Sequence, residues 1–234
     1  MSLEKYLLIQ KNQFENEGNQ WSISNRDHVV GVYDSHNNFS DYDNFLFKTF
    51  DTKELVALEY GCGPARNIIK FNDRFKRIDG VDISESCIEK AKINLLSNNL
   101  NPNKSNLFVC DGQTIPTNDN IYDVVFSVIC LQHIISYNVR LNILKEVFRV
   151  LKKDGYFCFQ MGFGGRGEKV VDYYDDVFAS FINSPSYYDV AITNEKFLID
   201  DLINKIGFKN YKSDIRDPGP GDTHKNWIWV QVQK

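Results

Sequence analysis

The sequence predicts an α/β protein built around a mostly parallel sheet, and three observations support this fold class. Short apolar runs, typical of buried strands, alternate with segments of helical periodicity from residue 55 to residue 162. A glycine-rich turn separates the first of these runs from the helix that follows it. Two further strand-like segments, 208–215 and 226–232, predict an antiparallel pair that closes the sheet.

The strands and helices of the alternating part follow from the spacing of apolar residues. The predicted strands are 55–60, 77–83, 107–110, 122–130 and 156–161. After the second strand, one helical face carries Cys87, Ile88, Ala91 and Leu95. After the fourth strand, another carries Leu141, Leu144, Phe148 and Leu151. A final helix is predicted to begin after a cap at Thr193 and to end near Gly207.

Length and charge limit the classes of protein to which this chain can belong. Its 234 residues suit one α/β domain with a small appendage. The 27 basic and 31 acidic side chains give a net charge of −4 without a basic block, which disfavours nucleic-acid and anionic-membrane partners. Residues 1–10 lack a signal-peptide core, and no segment approaches the roughly 18 apolar residues of a membrane span. We therefore expect a cytoplasmic protein.

The five cysteines are widely separated and include no Cys-x-x-Cys pair. Cys110, Cys130 and Cys158 fall in or beside predicted strands, which favours a role as small core residues. Cys62 lies in the glycine-rich turn, where its small size matters more than its thiol. The sequence predicts neither a metal site nor a disulfide.

The glycine-rich turn is the part of the sequence that most directly indicates a ligand. Gly61 and Gly63 allow a sharp bend and a close approach of a ligand to the main chain, because neither has a Cβ atom. Pro64 suits the first position of the following helix. A strand, a glycine turn and a helix form a unit that binds dinucleotides and related ligands, with N–H groups available at the helix start.

The residues around the turn distinguish between possible cofactors. A nicotinamide site requires a third glycine three residues after the second, and Arg66 stands there. Glu59, two residues before Gly-Cys-Gly, instead resembles motif I of the class I S-adenosylmethionine (SAM) methyltransferases. That motif reads acidic-x-Gly-x-Gly-x-Gly in the family, and Ala65 replaces its last glycine here. The resemblance covers residues 52–162 well and the two ends in outline.

The resemblance implies a Rossmann-like, seven-stranded sheet in the order 3-2-1-4-5-7-6, with an antiparallel last strand and helices on both faces. Residues 1–50 are then an N-terminal lid and helical segment, and residues 51–234 a SAM-binding domain. Within this domain, residues 163–192 form an aromatic-rich insertion after the fifth strand. It is predicted to cap the acceptor site, because ligands of open α/β sheets bind above the carboxyl ends of the strands. A helix whose aromatic side chains simply pack down is the alternative.

The N-terminal lid is predicted from residues 21–37, which combine Trp, Arg, His, Tyr and Asn in a loop-like segment between helices at 5–14 and 41–50. A surface arm packed onto the domain is the alternative. If the lid folds over the site, Arg26 can pair with the methionine carboxylate of SAM. The candidate acceptor-binding side chains of the lid and cap are His28, Tyr33, His36 and Tyr173.

Asp82 is the candidate ribose-binding residue. It follows Glu59 at close to the roughly 20-residue interval seen for such acids. At the carboxyl end of a buried strand, its carboxylate can accept hydrogen bonds from both ribose hydroxyls. A helix-capping or turn aspartate is the alternative, although Ser84 is better placed as the cap.

The adenine site is predicted at Asp111 and Gly112, which follow the third strand. In the family an acidic residue here receives the adenine amino group, and Gly112 leaves space for the ring; a turn-forming Asp-Gly pair is the alternative. Glu59 is expected to orient the amino end of SAM, directly or through water. The full set of candidate SAM-binding residues is Arg26, Glu59, Gly61, Cys62, Gly63, Asn67, Asp82, Ile83, Asp111, Gly112 and Ile129.

His133 is the candidate catalytic base. It follows the fourth strand, and this run resembles motif IV of the family, whose end faces both the methyl donor and the acceptor. A hydroxyl acceptor needs a base, worth about 10²–10⁴-fold, and histidine titrates in a suitable range. A helix-start or packing histidine is the alternative, and His28 and His36 are other candidates.

The acceptor is predicted to be a small molecule. Residues 127–130 read Ser-Val-Ile-Cys and lack the Asn/Asp-Pro-Pro-aromatic sequence of enzymes that methylate amino groups of DNA bases or glutamine. We expect methyl transfer to an oxygen or nitrogen atom of a sugar or another hydroxylated or amine metabolite. The alternatives are a non-catalytic protein of the same fold that binds a ligand or partner, and a nicotinamide dehydrogenase. Neither the choice between oxygen and nitrogen nor the oligomeric state follows from the residues.

Overall fold

The computed structural model describes residues 3–20, 42–101, 104–165, 170–174, 189–217 and 224–234. Its helices are α1 Leu3–Gln20, α2 Arg66–Phe71, α3 Glu85–Ser97, α4 Tyr137–Val150 and α5 Glu195–Ile199, which continues as π-helical turns over Asp200–Ile206. Its strands are β1 Val56–Tyr60, β2 Arg77–Asp82, β3 Leu107–Val109, β4 Tyr122–Ser127, β5 Leu151–Phe163, β6 Val170–Asp172, β7 Asp189–Ile192, β8 Lys209–Arg216 and β9 Asn226–Gln233. Shorter elements are the π-helical turn Tyr42–Leu46 and the 3₁₀ turns Asn72–Arg74 and Leu131–His133.

The strands form one mixed sheet that contains the order β3-β2-β1-β4-β5-β9-β8. The first five strands of this order are parallel, and β9 runs antiparallel between β5 and β8. This arrangement confirms the predicted Rossmann-like fold and its closing antiparallel pair. Among the described residues, no helix has both the length and the apolar character needed to cross a membrane.

The inserted segment after β5 contributes two short strands that the sequence did not predict. Gly162 and Phe163, the last residues of β5, pair with β9 on one edge and with β7 on the other. They extend beyond the end of β4, so β7 occupies the edge that β4 leaves, and β6 pairs in parallel with β7. The remainder of the predicted cap, 166–169 and 175–188, lies outside the described residues.

Both faces of the sheet are covered, which explains the continuous apolar runs in the sequence. Val125 of β4 belongs to one buried apolar cluster, and its neighbours Val124 and Phe126 belong to another on the opposite face. The second cluster centres on Phe47, whose ring makes an edge contact with Phe126 at a centroid distance of 5.3 Å. The carboxyl ends of the parallel strands therefore meet at one edge of a rigid, two-sided core.

The cap of the last helix differs from the prediction. Asn194, one residue after Thr193, accepts a hydrogen bond from the Lys196 N–H through its side chain. The side chain of Thr193 instead hydrogen-bonds to Asp172 of β6. The helix ends at Gly207 as predicted, and this glycine has a left-handed φ of 104°.

Candidate functional site

A cleft opens where the carboxyl ends of β1, β2 and β4 meet. It contains about 940 Å³ of space, part of it open to solvent. The predicted site residues that line it are Glu59, Gly61, Cys62, Gly63, Asn67, Asp82, Ile83, Gly112, Ile129 and His133. These residues come from four different segments of the chain, and the parallel sheet brings them to a single edge.

The two glycines of the turn occupy their positions for different structural reasons. Gly61 has a φ of 74°, and a Cβ atom there would lie 2.1 Å from the Cys130 Sγ atom. Gly63 also has a positive φ, 47°, but a Cβ atom there would meet nothing within 4 Å. Because Gly63 lines the cleft, this space belongs to the cleft. The close packing of the turn therefore requires Gly61, and open ligand space lies beside Gly63.

Ala65 stands where the family motif has its last glycine, and its backbone explains that preference. It is fully buried and adopts a left-handed conformation with φ 69° and ψ 28°, immediately before α2 begins. An L-residue with a Cβ atom pays about 1–2 kcal/mol for this conformation. The turn therefore keeps the geometry of the family motif at a small conformational cost.

Asp82 is held at the end of β2 by two backbone amides. The Gly63 N–H donates to its Oδ2 atom at 2.8 Å, and the Ser84 N–H donates to its Oδ1 atom at 2.9 Å. Burial raises the pKa of Asp82, whereas these amide hydrogen bonds act to lower it. The predicted cap, Ser84, accepts from the Cys87 N–H, so Asp82 is not the helix cap. Both of its oxygens can accept a second hydrogen bond.

Glu59 is a buried acid whose hydrogen bonds are incomplete. Its Oε1 atom accepts from the Asn67 Nδ2 atom at 2.6 Å, but its Oε2 atom has no hydrogen-bond partner among the described residues. Burial raises the pKa of Glu59 to about 8. A buried, unpaired carboxyl oxygen in a cleft indicates a missing ligand group. A cationic amino group such as that of SAM fits this position.

Helix α1 forms one wall of the cleft, which the sequence did not reveal. Gln10, Phe14 and Glu17 line the cleft from this helix. Tyr6, Gln10 and Phe14 follow one another at four-residue intervals, so they share one helical face. This spacing is visible in the sequence, but by itself it does not distinguish the wall of a site from a helix face packed on the core.

Two sets of hydrogen bonds fix α1 across the cleft. On one side, Glu15 accepts from the Ser84 hydroxyl at 2.8 Å and from the Ser86 N–H at 3.1 Å. On the other side, the Tyr6 hydroxyl accepts from the Ile135 N–H at 2.9 Å. The helix thus connects the start of α3 to the segment that follows β4.

A strained residue directs the chain from β4 to His133. Ile129 has a φ of 50°, which is unusual for a β-branched residue. Its N–H donates to the Gln160 Oε1 atom at 3.1 Å, which supports this conformation. The turn that follows brings His133 to the cleft, with its ring 6.3 Å from the ring of Phe14. The Nδ1 atom of His133 lies 2.7 Å from the Asp189 Oδ1 atom.

The adenine site differs in part from the prediction. Asp111 is exposed and does not line the cleft, while its Oδ1 atom accepts from the N–H groups of Gln113 and Thr114 at 2.8 and 2.6 Å. This is the geometry of an Asp turn, and the contact with adenine remains a prediction. Gly112 lines the cleft, but a Cβ atom there would lie 2.9 Å from the Ile83 Cδ1 atom. Its neighbouring space is therefore filled by Ile83 rather than left open.

The predicted acceptor-binding residues do not gather at the cleft within the described part of the chain. Tyr173 is buried in the core instead, with its ring 4.6 Å from the buried guanidinium of Arg140. Arg140 also donates to the carbonyl groups of Tyr173 and Ile134, so this tyrosine packs beneath the segment after β4. The other candidates lie outside the described residues and remain predictions: Arg26, His28, Tyr33 and His36.

Four of the five cysteines line the cleft, and all five are free thiols. Burial raises the pKa of Cys87 and Cys110 to about 12, and that of Cys62 and Cys130 far above the ordinary value. These thiols are therefore neutral and act as small apolar wall residues. In the parts of the chain that the structure describes, no group of His, Cys, Asp and Glu side chains could hold a metal ion.

Comparisons with known proteins agree with this geometry. A family model described as a methyltransferase domain matches residues 58–159. A SAM-dependent methyltransferase from Methanosarcina mazei has a similar structure, with a TM-score of 0.60, 18% identity, and coverage of 84% of this chain and 97% of that one. The YcgJ protein from Bacillus subtilis is also similar, with a TM-score of 0.60 and 16% identity. The similarity covers 85% of this chain and 98% of that one. No curated protein matches the sequence.

A third similar structure contains ligands. It is phosphoethanolamine N-methyltransferase 2 from Haemonchus contortus, in complex with phosphomonomethylethanolamine and S-adenosylhomocysteine. Its TM-score is 0.62 at 18% identity, and the similarity covers 86% of this chain and 52% of that one. Residues 58–159 thus match the model of a methyltransferase domain, and the chain has the fold of the SAM-dependent methyltransferases.

Proposed function

We propose that the protein transfers a methyl group to an oxygen or nitrogen atom of a small molecule, with His133 as the base. One observation supports this proposal above the others: His133 lines the same cleft as Glu59 and Asp82. A proton acceptor and the residues suited to the methyl donor are therefore in one enclosure. Bound SAM supplies a methyl group already activated as a sulfonium.

The residues at the ends of β1 and β2 are proposed to hold the donor. The unpaired oxygen of Glu59 suits the amino group of SAM, and the carboxylate of Asp82 suits the two ribose hydroxyls. Ile83 and Ile129 line the cleft and are proposed to flank the adenine. Alignment of donor and acceptor in one such site can contribute about 7–11 kcal/mol to catalysis.

The acceptor is proposed to lie beside His133, against α1. Methylation of a hydroxyl or an ammonium group requires the loss of a proton, which the imidazole can take. The electron pair of the broken O–H or N–H bond stays on the acceptor atom, where it is available to the methyl carbon. The other wall residues near His133 are Phe14, Gln10 and Ile134, which offer an apolar surface and one amide.

The coverage of the cleft supports a small acceptor. Helix α1 crosses the cleft and is fixed on both sides. The similar H. contortus protein forms a complex with a small phosphorylated amine, which supports a small acceptor. The net charge of −4 also disfavours a nucleic acid as acceptor.

The proposal is tested by transfer of labelled methyl groups. The protein is incubated with methyl-labelled SAM and either the low-molecular-weight fraction or the macromolecular fraction of a cell extract. Label is expected in the small molecules, and a His133→Gln variant should bind S-adenosylhomocysteine normally while transferring label about 10²–10⁴-fold more slowly. Label confined to protein or nucleic acid would contradict the small acceptor. Normal turnover by His133→Gln would contradict the base.

A further inference from the structure

We infer that Asp189 is the positioning residue that prepares His133 as a base, and that His224 holds Asp189 from its other side. This inference rests on the proposed function, because it explains how the proposed base is oriented. Neither residue lines the cleft. They act through His133 and do not themselves contact the donor or the acceptor.

The three side chains form a continuous buried chain of hydrogen bonds. The Asp189 Oδ1 atom lies 2.7 Å from the His133 Nδ1 atom, and its Oδ2 atom lies 3.1 Å from the His224 Nε2 atom. The side chains of His133, Asp189 and His224 are only 8%, 10% and 0% exposed. A single carboxylate therefore joins two imidazole rings away from bulk water.

The positions of the hydrogens on His133 and His224 follow from the charge of Asp189. Burial acts to raise the pKa of this carboxyl, but the hydrogen bonds from His133 and His224 hold it well below its usual range. An ionised carboxylate only accepts hydrogen bonds, so both ring nitrogens that contact it must donate. His133 then carries its hydrogen on Nδ1. In the neutral ring, Nε2 is consequently the atom with the lone pair that can accept a proton.

His224 supplies a rigid support for this arrangement. Its ring packs directly on Gly162 of β5, where a Cβ atom would lie 2.0 Å from the His224 Nδ1 atom. The ring of Trp227 contacts it edge-on at a centroid distance of 4.8 Å. The ring therefore has no room to turn away from Asp189. The backbone of Asp189 is fixed as well, because the short strand β7 begins at this residue and pairs with β5 at Gly162.

The chain of contacts also suits the charge that develops during proton transfer. When Nε2 takes the proton of the acceptor, the ring of His133 becomes a cation, and the electron pair of the broken bond remains on the acceptor atom. The adjacent carboxylate of Asp189 stabilises that cation without taking the proton itself. Burial strengthens this attraction, because little water screens the pair.

The first test reads the tautomers of the histidines directly. In the full-length protein labelled with ¹⁵N-histidine and bound to S-adenosylhomocysteine, long-range ¹H–¹⁵N spectra are expected to show His133 with its hydrogen on Nδ1 and His224 with its hydrogen on Nε2. The His133→Gln spectrum identifies the signals of His133. A wild-type His133 that carries its hydrogen on Nε2 would overturn the inference, and this measurement needs no variant of Asp189.

Replacement of the carboxylate sharpens the same measurement. An Asp189→Asn side chain has one acceptor and one donor, so one of the two histidines must change from donor to acceptor. We expect one tautomer to switch in this variant while S-adenosylhomocysteine binding is retained. If both histidines keep their wild-type tautomers, Asp189 does not determine them.

The second test is kinetic and uses the small-molecule fraction that accepts label. Asp189→Ala is expected to lower turnover about 10²–10⁴-fold, as loss of the base does, without changing the affinity for S-adenosylhomocysteine. The double variant with His133→Gln should be no slower than His133→Gln alone, because Asp189 acts through His133. If the double variant is slower than His133→Gln by the same factor that Asp189→Ala shows in the wild type, the inference is overturned. His224→Ala should lower turnover less than Asp189→Ala does. If His224→Ala turns over at the wild-type rate, His224 does not hold Asp189 in its working position.

These outcomes separate the inference from the function on which it rests. A fall in turnover in His133→Gln with none in Asp189→Ala refutes the positioning role alone. Unchanged turnover in His133→Gln refutes the base, while the tautomer spectra still report on Asp189. Asp214→Asn is a matched control, because this aspartate is exposed on β8 and pairs with Lys48. It should leave the spectra and turnover unchanged.

Discussion

The two ends of the cleft are built in different ways. The proposed donor end uses residues close together along the chain, from Glu59 to Asp82, and main-chain amides hold the carboxylate of Asp82. The proposed acceptor end joins residues that are far apart along the chain. His133 is separated by 56 positions from Asp189 and by 123 positions from Gln10. A site made from one strand–turn–helix unit can be read as a motif. A site assembled from distant segments depends on how the sheet is completed.

The strongest test of this contrast is removal of the Asp82 carboxylate. Asp82→Ala is expected to weaken S-adenosylhomocysteine binding by more than about 100-fold, because hydrogen bonds to a charged group contribute about 1.5–3 kcal/mol each. Calorimetry measures the affinity, and the affinity of Asp82→Asn should lie between those of the wild type and Asp82→Ala. Binding within a few-fold of wild type in Asp82→Ala would show that the donor end is located elsewhere.

Substitution of the two glycines should separate folding from binding within the donor end. Gly63→Ala places a methyl group in open cleft space at a positive φ, so we expect about 10- to 100-fold weaker binding with a modest loss of stability. Gly61→Ala collides with Cys130 and should lower the melting temperature far more. Thermal unfolding and calorimetry compare the two variants. Equal losses of stability would contradict this division.

The buried carboxyl of Glu59 predicts a pH dependence of donor binding. Its pKa of about 8 means that the unliganded protein keeps this proton at neutral pH, whereas a bound ammonium group favours the ionised form. Binding therefore releases a proton, and the affinity for S-adenosylhomocysteine should rise between pH 6 and 8, by up to about tenfold per unit. Calorimetry across this range should show a flat profile for Glu59→Gln. A flat wild-type profile would contradict the assignment.

The smallest expected effect concerns helix α1, which contacts both ends of the cleft. Phe14→Ala removes part of the wall beside His133 and should weaken S-adenosylhomocysteine binding only a few-fold, corresponding to about 1 kcal/mol. Leu8→Ala is the control, because Leu8 lies on the same helix but is 58% exposed. If both variants bind S-adenosylhomocysteine alike, Phe14 is not a wall of the donor end.

The donor end shows how much of a site a local pattern can predict. Local spacing and the resemblance to motif I single out Glu59, Gly61, Gly63 and Asp82, and the structure places all four around one cleft. Each of these residues has a local reason for its position, such as a positive φ or the end of a buried strand, and their contacts with SAM stay predictions. Asp111 also follows a strand, but its side chain turns to the N–H groups of Gln113 and Thr114.

The acceptor end shows where such prediction stops. His133 was a candidate because it follows β4, but its partners Asp189 and His224 have no motif of their own. Tyr173 was assigned to the acceptor from the aromatic character of its segment, and the structure buries it against Arg140. An aromatic side chain suits a core and a binding wall equally well, so composition alone could not distinguish the two.

The sequence by itself determined the five parallel strands, the closing antiparallel pair and the glycine turn, because these depend on local periodicity and on backbone conformations that few residues tolerate. Only the tertiary structure decided that α1 crosses the cleft and that Asp189 and His224 support His133. The physical reason is that β5 extends past β4 and accepts β7 on its free edge. That pairing, set by contacts between distant residues, carries Asp189 to the histidines.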